Sequence, residues 1–245
     1  MLVLAAIGGL AFVLGSLVVG GRLLLLARRT RQLPEALIGL SLFLLGGIGY
    51  PLLTVWQALD AAPRLQVAVC VVHAVLNLVG QSAQVFFAWL VFRRLETWAG
   101  ALCAVYTATI VGLFVWQTVA PGWSEFVRTG AGPWRWLMGH ILFSLGWMTI
   151  EPLLYYAKLR KRLALGLADP VTTDRLRLWG FASLCALLTT GISLILQSSG
   201  VAMTLEVTGL FVGPLGVLSA AAMWLAFIPP QRYLDWVLAH AGTEA

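Results

Sequence analysis

The chain has 245 residues, 60% hydrophobic and only 11% charged, with a mean hydropathy of +0.90. A soluble domain carries about 25% charged residues, so a water-soluble globule is excluded. The net charge of +6 and a pI near 9.7 would suit nucleic acid on magnitude alone, but the placement of the charges, taken up below, argues for membrane topology instead.

Seven segments reach the roughly 20 apolar residues that a membrane span needs: 2–26, 35–59, 66–92, 97–119, 134–157, 178–197 and 205–227. They predict an all-α membrane protein, a seven-helix transmembrane bundle over 1–228 with a short cytoplasmic tail over 229–245. No stretch is left over for a soluble catalytic or DNA-binding domain.

In chain order, segment 2–26 has no basic stretch before it, and its charges follow at Arg22 to Arg31. It reads as a first span inserted with its N-terminus out, not as a cleavable signal peptide. A basic loop ends at Pro34-Glu35, a pair that starts helices. Segment 35–59 carries Tyr50-Pro51, and Gln57 near its outer end.

Segment 66–92 carries His73, Asn77, Gln81 and Gln84, which fall on one helical stripe about 80° wide. Segment 97–119 leads through Gln117 into the longest outer loop, 120–133, rich in glycine and proline. Segment 134–157 repeats the polar pattern with His140, Ser144, Trp147 and Glu151 in an arc of about 60°. Beyond it, 158–162 continues as helix below the membrane, and Asp169-Pro170 starts the sixth helix before its span. These two extensions are the expected seat of a cytoplasmic signalling partner. Segment 205–227 holds Glu206 near its outer end and Gly213-Pro214 inside it. After Ile228-Pro229-Pro230, residues 231–238 predict an interfacial helix with Tyr233 and Trp236 at headgroup level.

Placing the N-terminus outside and the C-terminus inside puts thirteen of the sixteen lysines and arginines on the cytoplasmic side. That asymmetry is the positive-inside pattern. It accounts for the net charge without nucleic acid and is the pattern of a multi-pass protein of a cell membrane.

Polar groups in lipid must find partners, so both stripes should face the bundle interior. Interhelical hydrogen bonding is the structural reading. The functional reading is a ligand site built from His73, Asn77, Gln81, His140, Trp147 and Glu151. His73, Asn77 and His140 lie in the outer half of their spans, as do Gln57, Gln117 and Glu206, while Glu151 lies deeper, which predicts a vestibule open outward.

Glu151 is the only carboxylate in the interior of an apolar segment. A charge there costs about 2.5–3.5 kcal/mol on insertion scales, so it should have a specific partner: a hydroxyl, an amide or a bound ligand. Desolvation would favour the neutral acid. Pro152 follows it and, like Pro51 and Pro214, predicts a kinked span.

Several chemistries fit poorly. Retinal needs a lysine in a span, and the only lysines are Lys158 and Lys161. Metal needs ligands converging at one depth, yet His140 and Glu151 differ by about 16 Å along a helix. Haem between His73 and His140 is geometrically open but has no further motif. Cys70, Cys103 and Cys185 sit at different depths, so a disulfide framework and a paired metal site are not expected.

The segments Leu165-Gly166-Leu167-Ala168-Asp169-Pro170 and Ala226-Phe227-Ile228-Pro229-Pro230, with Tyr233 and Trp236, accompany Pro34-Glu35 and Gly46-Gly47-Ile48-Gly49-Tyr50-Pro51. With them the chain resembles uncharacterised bacterial seven-span membrane proteins, similar to membrane input modules of signalling proteins. The resemblance implies a sensor or receptor-like protein that binds a small or lipidic ligand from the outer side. A small-solute carrier with a 3+1+3 helix arrangement is the alternative, on weak similarity between spans two and six. An intramembrane enzyme is the third.

Overall fold

The computed structural model describes residues 2–52, 63–119, 132–201 and 205–240. Gln57 and most of loop 120–133 lie outside the described residues, as do the side chains of Gln117 and Glu206.

Eight helices are seen among them. These are α1 (Leu2–Thr30), α2 (Leu33–Ser41, running on as a π-helix over Leu42–Gly49), α3 (Pro63–Phe92), α4 (Thr97–Val119), α5 (Pro133–Leu163), α6 (Pro170–Ser198), α7 (Leu205–Phe227) and α8 (Gln231–His240). The first seven are long and apolar enough to cross a membrane. They match the seven expected spans, including the continuation of α5 past 157 and the early start of α6. The short α8 is the helix expected in the tail, and it packs back against α6.

The helices follow one another round a ring that closes where α1 meets α7. Within the ring α3 touches α5 directly, and α4 packs against both. The alternating chain direction gathers Arg28, Arg29, Arg93, Arg94, Arg160 and Arg162 at one end of the bundle. This is called the arginine-rich end below.

Small residues set the tightest contacts. In lipid there is little hydrophobic drive between helices, so close backbone approach and dispersion carry much of the association. A Cβ on Gly216 would lie 2.9 Å from the Gly8 carbonyl oxygen, which draws α1 and α7 together. A Cβ on Gly20 would lie 2.8 Å from the Phe43 nitrogen, which draws α1 and α2 together.

The π segment of α2 has a local cause. Pro51 offers no amide donor, and its ring would crowd the carbonyl four residues earlier. The chain widens instead, so that the Tyr50 amide donates to the Leu45 carbonyl, five residues back. π-turns concentrate at functional sites, and this one is flanked by the two cavities described below.

The turn between α5 and α6 follows from Leu165–Pro170. Gly166 adopts φ +69 and Leu167 donates its amide to the Arg162 carbonyl at 2.9 Å, a left-handed helix stop that favours glycine. Asp169 then caps α6 by accepting from the Thr172 amide at 2.7 Å, with Pro170 in the first turn.

Candidate functional site

The two polar stripes meet where α3, α4 and α5 pack together. Gln81 Oε1 accepts from Tyr106 at 3.3 Å and from the Ser144 hydroxyl, so one amide ties three helices. Tyr106 also bonds the His140 carbonyl at 3.1 Å. The His140 ring is held from both sides: Nδ1 lies 3.0 Å from the Trp136 carbonyl and Nε2 lies 2.8 Å from the Thr109 hydroxyl. A proton on Nδ1 satisfies both contacts. Asn77 turns back within its own helix and donates to His73 Nε2 at 3.0 Å. Asn77, Gln81, Trp147 and Glu151 are buried, while His73 and His140 are half-buried.

Glu151 has a partner of a different kind from those expected. Its Oε1 accepts from Arg93 Nε at 2.8 Å and from Trp147 Nε1 at 3.2 Å. Arg93, assigned by its position in the chain to the loop after α3, reaches Glu151 inside α5. The partner is therefore a guanidinium, and not a hydroxyl or an amide. Arg93 also lies 5.9 Å over the Trp98 ring, and Trp98 stacks on Trp147 at 6.4 Å. The other oxygen, Oε2, is buried without a hydrogen-bond partner among the described residues.

None of the six expected ligand residues lines any of three cavities found elsewhere. The largest of the three, about 410 Å³, lies at the arginine-rich end among α1, α2, α3, α6 and α7. Its rim holds the exposed Arg22, Thr172 and Arg175, with half-buried Pro34 and Glu35. Its wall is apolar and aromatic: Val19, Leu23, Ile38 and Phe87 are buried, and Trp179 and Phe227 complete it. A smaller cavity of about 150 Å³ lies toward the opposite end, lined by Phe12, Tyr50, Thr189 and Thr190 among others. Only the larger falls in the range of about 300–1,000 Å³ typical of small-molecule sites. It sits at the end opposite to the one where a vestibule was expected.

The layer between the two cavities is close-packed. Ser16, Gly46, Ala182 and Ser219 are buried there, and Ser219 bonds the Ala182 carbonyl at 3.1 Å. A Cβ on Gly46 would collide with Ser16.

A third cleft, about 70 Å³, runs between the end of α5, the start of α6 and α8. Asp174 anchors it: Arg177 reaches its Oδ1 and Tyr233 donates to its Oδ2 at 2.6 Å. Burial, with the Asp174 carboxylate next, pushes the Tyr233 phenol up to about 12.

The cavity residues carried no sequence signal of their own. Arg22 and Arg175 read as topology charges, and Phe87, Trp179 and Phe227 as ordinary apolar positions. Their convergence needs the ring order. Among the described residues no group of His, Cys, Asp or Glu is placed to hold a metal, and all three cysteines are buried and outside any disulfide. No protein-family model, curated protein or solved structure matches this chain.

Proposed function

We propose that the protein is a receptor-like membrane sensor whose small or lipidic ligand occupies the 410 Å³ cavity at the arginine-rich end. The observation that carries this is the double use of α6. Thr172, Arg175, Leu176 and Trp179 form one wall of the cavity. Pro170, Thr173, Asp174 and Arg177, on the other face of the same turns, line the cleft against α5 and α8. A ligand that moves the first wall moves the second, and a packed helix transmits such shifts as a rigid unit. Orientation with the N-terminus out puts the α5–α6–α8 platform in the cytoplasm, where a signalling partner would meet it.

The reading is tested without knowing the ligand. Ile38→Trp, at a buried wall position, fills the cavity from within. Spin labels at Lys161→Cys on α5 and Leu238→Cys on α8, both exposed, report the platform, since the native cysteines are buried. A changed distance distribution in the filled variant supports the sensor. An unchanged one, in a protein that still folds, sinks it.

A carrier is the second reading. It is favoured by two cavities toward opposite ends, both walled by α1, α2, α6 and α7 and parted by one packed layer. Uptake of a solute into vesicles containing the protein, abolished by Gly46→Leu in that layer, would favour the carrier over the sensor.

A further inference from the structure

The chemistry of the same cavity narrows its ligand, on the reading that it is the sensing site. The rim carries two guanidiniums and one carboxylate. Arg22, from α1, and Arg175, from α6, make no ion pair among the described residues. Glu35 is already engaged. It accepts from the Thr30 hydroxyl, and it lies in the first turn of α2, where the helix dipole offsets its charge. The rim therefore carries more positive than negative charge, with Arg175 also in the field of the Asp169 carboxylate at the start of α6. Because neither guanidinium is in an ion pair among the described residues, both offer forks of the kind that match carboxylate and phosphate.

Below the rim the character changes abruptly. Val19 is 0% exposed and Phe87 4%, and Trp179 and Phe227 face each other edge to face at 5.8 Å. A small hydrophilic anion would leave that wall unmatched. A neutral hydrocarbon would leave the arginines unmatched. A volume of 410 Å³ is near the lower end for drug-sized ligands, which suits one acyl chain and not two.

We propose that the cavity binds a single-chain amphiphilic anion, its carboxylate or phosphate head at Arg22 and Arg175 and its chain against Phe87, Trp179 and Phe227. Each part of the ligand then meets its complement, and neither guanidinium is left unpaired at the surface. The aromatic walls supply large contact area at low entropic cost. The charged rim at the headgroup level holds the ligand at a fixed depth.

The full chain, in nanodiscs of zwitterionic phosphatidylcholine, is titrated with radiolabelled dodecanoate. Unlabelled dodecyl phosphate, dodecanol and dodecyltrimethylammonium serve as competitors. Saturable dodecanoate binding is expected. Dodecyl phosphate should compete, and dodecanol and the cationic amphiphile should be at least tenfold weaker. Arg22→Gln and Arg175→Gln should each weaken dodecanoate tenfold or more, and Ile38→Trp should abolish binding. Protection of the three buried cysteines from a thiol dye certifies that each variant is folded.

Equal competition by dodecanol, wild-type affinity in both arginine variants, or no saturable dodecanoate binding overturns the proposal. So does displacement of dodecanoate by phosphatidylglycerol added to the discs, which would make a two-chain lipid the occupant. The spin-label measurement keeps the two readings apart. If the filled variant still shifts α8 while dodecanoate fails to bind, the ligand class falls and the sensor stands. If dodecanoate binds and α8 does not respond, the site stands and the sensor falls.

Discussion

The pair between Arg93 and Glu151 should be asymmetric. The Glu151 side chain is 5% exposed and that of Arg93 29%, at an Nε–Oε1 distance of 2.8 Å. Removing one partner of a buried pair costs about 3–5 kcal/mol because the other charge is left uncompensated, whereas exposed pairs are worth about 0–1. Arg93→Gln strands the more buried partner, so its cost should approach the buried limit, about 3 kcal/mol. Glu151→Gln strands an arginine that reaches water, lies over the Trp98 ring and sits 3.9 Å from Glu96. Its cost should be about 1–2 kcal/mol, between the two limits. The double variant should be no worse than Arg93→Gln alone. For a chain of this size a loss of 3 kcal/mol lowers the midpoint by about 6–12 °C. Cys70, Cys103 and Cys185 are buried, so a thiol-reactive dye added during heating reports unfolding directly. Equal losses in the two single variants, or a double variant that loses their sum, would refute the reasoning.

Adjacent glycines give a second test. Gly20→Ala would drive a methyl to 2.8 Å from the Phe43 nitrogen of α2, whereas Gly21 has nothing within 4 Å of the same methyl. Gly20→Ala should cost about 1–3 kcal/mol and Gly21→Ala should be neutral or stabilise by up to about 1 kcal/mol, both read by the same dye assay. A third prediction concerns the cap of α6. The hydrogen bond from Thr172 holds the Asp169 carboxyl below its usual range. A depressed carboxyl contributes stability that is present above its unfolded value and lost as pH falls through its folded one. Asp169→Ala should therefore cost about 1 kcal/mol at neutral pH, with the difference from wild type shrinking as the medium is acidified below about pH 4. A difference that stays constant through acid would exclude the cap as its source. The fourth concerns topology. A cysteine at position 163, at the arginine-rich end of α5, should resist a membrane-impermeant label in intact cells, and one at position 126, which lies outside the described residues, should react. The reverse pattern would invert the assigned orientation.

What the sequence disclosed follows from range. Span number, the α5 and α6 extensions and the tail helix are written in contiguous residues, by apolar length, by Asp169-Pro170 and by Pro229-Pro230 ahead of α8. The inward turn of Asn77, Gln81 and Glu151 was legible for the same reason, since four-residue spacing on one helix defines a face. Partners are a matter of ring order, and periodicity says nothing about which helix a face meets. Gln81 finds Ser144 and Tyr106, 63 and 25 residues away, and Glu151 finds Arg93, 58 residues away. Arginine near a span end reads as a topology signal, yet its long stem lets the guanidinium return to a buried acid. The same ambiguity hid Arg22 and Arg175. A cation beside the membrane serves orientation, an ion pair or a ligand, and only the position of neighbouring acids decides among them. Arg93 has such an acid at 2.8 Å, while Arg22 and Arg175 are in no ion pair among the described residues and stand over an apolar cavity, with Glu35 on the same rim and the Asp169 carboxylate near Arg175. That contrast places the Arg93–Glu151 pair with the frame of the bundle and is the ground on which ligand chemistry is proposed for Arg22 and Arg175.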